Sequence, residues 1–302
     1  MLLYFKMLAH VADFEKYFHF IGVVYVVVVV IRLAIKALDV IYGFLLPKIF
    51  PPSNFVKKYG EWAIVTGCTQ GIGRYYAEEL ARLGMNIVLV SRNESKLEDL
   101  ARTVKNLYGM IYTAEGNLQP FFPIMYFMCV PQTILKLPFK SSGVDTRIIV
   151  ADFTNPSILQ TIVTKIDEFK IDIGALVNNV GLLGGHAMPF LELEKSTVLD
   201  IINVNVTAAT FLCHSLLPKM IAKGRGAIIN LSSIASHAPC PYYTEYAATK
   251  HYLTAFTQAL ASEYSDSGVT IQCVEPGQVD TAMTKYFDKV FVFLLAKRLI
   301  LW

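Results

Sequence analysis

Residues 244–250 read TEYAATK, with Tyr246 and Lys250 four apart. On a helix that spacing puts both side chains on one face, a single turn apart. A lysine ammonium beside a phenol favours the phenolate and so brings the phenol pKa down toward the range useful for proton transfer. Ser232 and Ser233 close the apolar run AIINLSS just upstream, where a hydroxyl can hold a substrate oxygen. Far from both, residues 65–74 read VTGCTQGIGR, with Gly67, Gly71 and Gly73 between an apolar run and a helical stretch. Glycines there allow a tight turn and a close approach of backbone to a pyrophosphate, which the next helix meets with free N–H groups and its positive dipole end. The spacing is G-x-x-x-G-x-G rather than the usual G-x-G-x-x-G. Alone, either group also fits a structural turn or a pair of surface residues; together they point to chemistry.

Such residues need a scaffold. WAIVTG is a short apolar run bounded by glycine, which predicts a buried parallel strand. The pattern from Ile72 to Leu83 is helical and stops at Gly84. NIVLVS predicts a second strand, and Asn93 caps the charged helix ESKLEDLARTVKNLY. RIIVADF, ALVNNV, AIINLSS and TIQCVEPG predict four more strands. Helices are expected over about Pro156 to Phe169, Glu194 to Ala222 and Tyr246 to Tyr264. Strands alternating with helices predict an α/β fold with a doubly wound parallel sheet.

The chain has 302 residues, 54% apolar and only 17% charged, with a net charge of +3. That charge is too small for nucleic acid as a partner, and no basic stripe or finger spacing supports one. Five scattered cysteines without a C-x-x-C pair suit a reducing compartment, and the histidines show no metal-ligand spacing. Much of the apolar excess lies in Tyr17 to Ile31, YFHFIGVVYVVVVVI. This run is shorter than the roughly 20 residues a spanning helix needs. Arg32 and Lys36 can snorkel and extend it to about Leu38. A buried core helix is the other reading of the run. Arg32, Lys36, Lys48, Lys57 and Lys58 follow it, against Lys6 and Lys16 before it. The positive-inside bias then places the bulk of the chain in the cytosol. Residues 1–52 are expected to form this anchor and an interfacial segment.

Two stretches break the alternation. Residues 110–143 are apolar but interrupted by Pro120, Pro123, Pro131 and Pro138, which argues against a second spanning helix. After Thr284 only KYFDKVFVFLLAKRLILW remains, enough for one apolar helix.

TGCTQGIG, NNVG at 178–181, Asn205, the serine pair, YAATK and PGQVDT at 276–281 occur in this order. Together they resemble the short-chain dehydrogenase/reductase superfamily over about Tyr59 to Thr284. YGEWAIVTGCTQGIG, AEELARLGMNIVLVSRN and DIINVN resemble its membrane-anchored branch. That branch holds the very-long-chain 3-oxoacyl-CoA reductases, related 17β-hydroxysteroid dehydrogenases and hydroxysteroid-dehydrogenase-like proteins.

The resemblance implies a Rossmann-like catalytic domain over 59–284, interrupted by an atypical insertion at 110–143 and followed by a short apolar tail at 285–302. It implies that Tyr246 is the general acid, and that Lys250 lowers its pKa and binds the nicotinamide ribose. Ser233, at the family-like register of 13 residues before Tyr246, would hydrogen-bond the carbonyl oxygen in preference to Ser232. Asn205 would support a relay water, or serve as a helix-kink or packing residue. Thr66, Gly67, Thr69, Gly71, Ile72 and Gly73 would hold the pyrophosphate turn. Asp152 would contact adenine, Asn179 and Gly181 would line the adenosine side, and Pro276, Gly277, Val279 and Thr281 would meet the nicotinamide end. Where an NAD-selective enzyme carries a carboxylate, this chain has Ser91-Arg92, with Arg74 after the glycine turn. Arginine's planar fork suits a 2′-phosphate, so NADPH is the expected cofactor.

The implied activity is reduction of a lipophilic ketone, either a 3-oxoacyl-CoA or a 17-ketosteroid, at the cytosolic face of the endoplasmic reticulum. The two long helices resemble the superfamily's dimer interface. The alternative is a non-catalytic member, disabled by the insertion and by a C-terminus that leaves a seven-stranded plan at six, with an exposed edge and no lid.

Overall fold

The computed structural model describes residues 19–35, 55–107, 143–277 and 279. The interfacial segment, the insertion up to residue 142, Thr281 and the tail lie outside the described residues. The chain divides into two compact units. In the first, the described residues form one helix, α1 (His19–Ile35). Its apolar side chains are exposed, among them Phe20, Ile21, Tyr25 and Val30.

The second unit begins with a short helix, α2 (Phe55–Tyr59). Its Phe55 and Tyr59 are both packed into the core. Then come β1 (Trp62–Thr66), α3 (Gly71–Arg82), β2 (Asn86–Ser91), α4 (Glu94–Leu107), β3 (Thr146–Val150), α5 (Ile158–Glu168) and β4 (Ile173–Asn178). A long helix, α6 (Lys195–Ile221), precedes β5 (Gly226–Leu231), α7 (Thr244–Glu263) and β6 (Val269–Val274). Asn93 caps α4 as expected, accepting from Lys96 N–H at 2.9 Å.

The described strands form a six-stranded sheet in the order β3-β2-β1-β4-β5-β6, and every neighbouring pair is parallel. Side chains alternate across a strand, so each strand feeds two layers. Ala63 and Val65 of β1 join Ile87 and Leu89 of β2 against α3 and α4. Ile64, Val88 and Val90 face the other way, toward Ile162 of α5 and Leu212 and Leu216 of α6. This two-sided burial explains the unbroken apolar runs in the sequence. Among the described helices, α6 has the length and composition to cross a membrane. Its Ala208, Leu212, Leu216 and Met220 are instead buried in the core.

Strand order reverses between β1 and β4, whose helices leave to opposite faces. That switch point is where open α/β sheets take their ligands, outside the C-terminal strand ends. The candidate residues gather along this edge.

Candidate active site

The glycine turn runs from the end of β1 into α3. Gly67 and Gly71 have φ of +63° and +55°, a region where a side chain is strained. Gly73 is required by crowding: a Cβ there would lie 2.3 Å from Asn179 Nδ2 and 2.6 Å from the Gly67 carbonyl oxygen. Gln70, at the start of α3, gives no side-chain cap. The first N–H groups of the helix are therefore left to a ligand, and an all-backbone cradle of this kind fits a pyrophosphate.

The strand ends are stapled across the switch point. Thr66 Oγ1 donates to Val177 O at 3.2 Å and accepts from the N–H groups of Asn179 and Val180 at 3.0 and 3.1 Å. Asn179 Nδ2 donates to the carbonyls of Thr66 and Gly67, both at 3.0 Å. Both residues were expected among the nucleotide contacts. The polar side-chain groups of the two hold the cradle together, because a turn made of glycine has no side chains with which to brace itself. Gly181 lies half-buried just beyond.

Thr69 Oγ1 shares a hydrogen bond of 3.1 Å with Ser91 Oγ, tying the turn to the end of β2. Arg92, the next residue, is exposed and makes no ion pair among the described residues. Arg74 differs: its Nε donates to Glu78 Oε1 at 2.8 Å, one turn along α3. Asp152, past β3, accepts from Thr154 N–H and Oγ1 at 3.1 and 3.0 Å.

The second half of the site stands at the end of β5. Ser232 is buried, and its Oγ donates to Lys250 O at 2.8 Å and lies 2.7 Å from Thr254 Oγ1. Ser233 points the other way. It caps the 3-10 turn Ile234–Ser236, accepting from Ala235 N–H at 3.2 Å, and its side chain lowers the Tyr246 phenol. The fold thus sends the two serines in different directions. Lys250, 4% exposed, donates from Nζ to Leu231 O at 2.7 Å.

The electrostatics differ from the sequence expectation. Burial raises the Tyr246 phenol above its ordinary value; the Ser233 hydrogen bond lowers it, and nearby Cys240 raises it again. Burial likewise lowers Lys250 to about 8. Desolvation of the phenol is the largest cause, and it runs against the acidification expected from the ammonium.

Asn205 lies in a π turn, Asn203–Thr207, that interrupts α6. Its Oδ1 accepts from Leu182 N–H at 2.7 Å, and its Nδ2 donates to Leu182 O at 2.9 Å and to Thr249 Oγ1 at 3.0 Å. Thr249 donates in turn to the Tyr246 carbonyl at 2.7 Å. Asn205 therefore joins the loop after β4 to the helix carrying Tyr246. Thr249 had no signal in the sequence, since a threonine inside a helix marks nothing by itself. Pro276 is buried after β6, with Gly277 and Val279 half-buried beside it.

A narrow apolar slot abuts Tyr246, lined by Leu183, Met188, Phe190, Ile201, Tyr242 and Tyr243 among others. A larger open groove of about 560 Å³, between α4 and β3 at Arg102, Lys105 and Arg147, is lined by none of the expected site residues. Its cations face Asp99 and Asp145.

Comparison with known proteins matches residues 61–121 and 132–290 to the family described as short chain dehydrogenase. Over 239 residues the chain is 36% identical to the inactive hydroxysteroid dehydrogenase-like protein 1 of Pongo abelii, covering 79% of this chain and 62% of that one. It is 36% identical to 17-beta-hydroxysteroid dehydrogenase type 3 of Danio rerio, covering 77% and 65%. It is 34% identical to the very-long-chain 3-oxoacyl-CoA reductase of Rattus norvegicus, covering 76% and 62%. The chain thus spans less than two thirds of the length of these relatives. Among solved structures, it resembles a short-chain dehydrogenase from Sphingobium yanoikuyae in complex with NADPH, with a TM-score of 0.59, 28% identity and coverage of 74% and 73%.

Proposed function

The chain belongs to the short-chain dehydrogenase family, and on that premise we propose that it reduces a ketone on a lipophilic substrate with NADPH, using Tyr246 as proton donor. One observation carries this reading: Lys250 is buried one turn along α7 from Tyr246 with its ammonium 5.6 Å from the phenol ring, and the Ser233 side chain at the end of β5 is close enough to lower that phenol. When bound, NADPH would supply a hydride to the carbonyl carbon. Ser233 holds the carbonyl oxygen while Tyr246 gives it the phenolic proton, so the developing charge is met as it forms. Lys250 supports the phenolate left behind and binds the nicotinamide ribose. Asn205 orders the loop that leads from the cradle to the catalytic helix and supports the relay that reprotonates Tyr246.

Thr69 and Gly71 to Gly73 would take the pyrophosphate through their backbone, with Thr66 and Asn179 bracing the turn. Arg92 is the leading partner for a 2′-phosphate, with Arg74 second because Glu78 already holds its guanidinium. Asp152 and Gly181 would flank the adenosine; Pro276, Gly277, Val279 and Thr281 would flank the nicotinamide. The relatives' names support two substrate classes, 3-oxoacyl-CoA and 17-ketosteroid. The apolar helix α1 suits a membrane anchor, with residues 59–284 as a catalytic domain on the cytosolic face of the endoplasmic reticulum. The long helices α6 and α7 are the proposed dimer faces.

A second reading, a non-catalytic member, is favoured by the relative named inactive. The detergent-solubilised chain separates the two. A thermal shift with NADPH that exceeds the shift with NADH, followed by turnover of either ketone class that Tyr246→Phe reduces by about 10² to 10⁴, supports the reductase. A cooperative melt that neither nucleotide moves sinks it.

A further inference from the structure

Lys250 and Glu275 are the buried charged residues among the described ones, and Glu275 has no part in the chemistry above. It stands between β6 and Pro276. Its Oε1 accepts from Thr254 Oγ1 at 3.0 Å and from Ser236 Oγ at 3.5 Å, and its Oε2 faces His237 Nε2 at 3.0 Å. Ser236 and His237 belong to the 3-10 turn that Ser233 caps. Thr254 lies on α7, one turn beyond Lys250. A single carboxylate therefore ties the turn presenting Ser233 to the helix presenting Tyr246 and Lys250. Two more bonds close the same triangle: Ile234 N–H to Pro276 O at 3.0 Å, and His251 Nδ1 with Ser236 O at 2.8 Å.

We propose that Glu275 is a positioning residue that sets Ser233 against Tyr246, which rests on the reading of that pair as the reacting one. A buried carboxylate is costly unless its lone pairs are filled. Here Thr254 on α7 and the 3-10 turn supply partners for both oxygens. An apolar residue at 275 leaves Thr254, Ser236 and His237 without their acceptor and lets the 3-10 turn shift. A fraction of an ångström is enough to lose a hydrogen bond whose partner sits on another element. Glutamine keeps an acceptor for Thr254 and Ser236 and offers its amide to the His237 ring nitrogen.

The test uses the full chain in detergent, labelled with ¹³Cζ-tyrosine, with the Tyr246 signal identified by its absence in Tyr246→Phe. Glu275→Ala should move that signal in the same direction as Ser233→Ala and most of the way. The double variant should move it no further than Ser233→Ala alone, and Glu275→Gln should leave it in place. In turnover, Glu275→Ala should lower kcat about tenfold or more with little change in the KM for NADPH, and Glu275→Gln should restore most of it. If Glu275→Ala does not melt cooperatively, the paired variant Ser236→Ala/His237→Ala severs the turn side of the clamp and is judged by the same signal. A Tyr246 signal that stays at its wild-type position, or effects of the two variants that simply add, overturns the proposal whether or not the wild type turns over ketone. The expected signals with no wild-type turnover uphold the positioning role and reject the reductase reading.

Discussion

Lys250 and Tyr246 share a face of α7, with the ammonium 5.6 Å from the centre of the phenol ring, yet the ammonium's hydrogen bond goes to the Leu231 carbonyl on β5. The lysine is thereby fixed to the sheet, and the tyrosine is left to the influence of Ser233. Both groups lose solvent in that arrangement, and the loss dominates their titration: the phenol is raised and the ammonium lowered.

The lowered lysine has a consequence for stability. Unfolded, the side chain titrates near 10.5; folded, at about 8. Between these values the unfolded chain holds a proton that the folded chain has lost, so stability rises with pH across that window. The penalty for burying the ammonium is complete below about pH 8 and amounts to at most about 3 kcal/mol. Melting wild type and Lys250→Met from pH 7.5 to 9.5 should show the wild type gaining on the variant as pH rises. A constant difference would rule this out.

Gly73→Ala places a methyl against Asn179 Nδ2 and the Gly67 carbonyl. One of these is backbone and the other is the brace of the turn, so neither yields cheaply. A loss of about 1–3 kcal/mol in stability is expected, along with most of the thermal shift given by NADPH. Retention of the full nucleotide shift would mean that the turn does not form the cradle.

The arginines separate by their partners. Arg92→Ala should narrow the preference for NADPH over NADH by about tenfold or more, as expected on losing a charge-assisted phosphate bond. Arg74→Ala should do less, because Glu78 already neutralises that guanidinium. Dissociation constants for both nucleotides decide it, and equal effects from the two variants would remove the basis for ranking them.

Asn205→Ala strips partners from both backbone groups of Leu182 and from the Thr249 hydroxyl. Unmet buried groups cost about 1–3 kcal/mol each, so urea unfolding should show a loss of about 3 kcal/mol. The Tyr246 carbonyl contact through Thr249 is disturbed as well, and turnover should fall with it. A variant as stable as wild type would show that water replaces the amide.

Much of the fold is legible in the sequence. Strand runs such as NIVLVS and AIINLSS are mostly apolar because parallel strands are covered on both faces, and each formed where expected. The Ser233 register and the one-face pairing of Tyr246 with Lys250 were equally visible, because they depend on helix period and short spacing. The α2 helix was missed, since five residues carry too little periodicity to announce a helix.

Sequence alone determined which residues could do chemistry and the order of elements that would carry them, because those are properties of residue type and local period. Only the tertiary structure decided what each group does with its hydrogen bonds. Thr66 and Asn179 brace the cradle across more than 110 residues, Asn205 interrupts its helix to reach the loop after β4, and Glu275 joins three elements from the end of β6. Burial, which also reversed the expected direction of the Tyr246 phenol, is a property of the packed sheet and helices. No stretch of chain carries it alone.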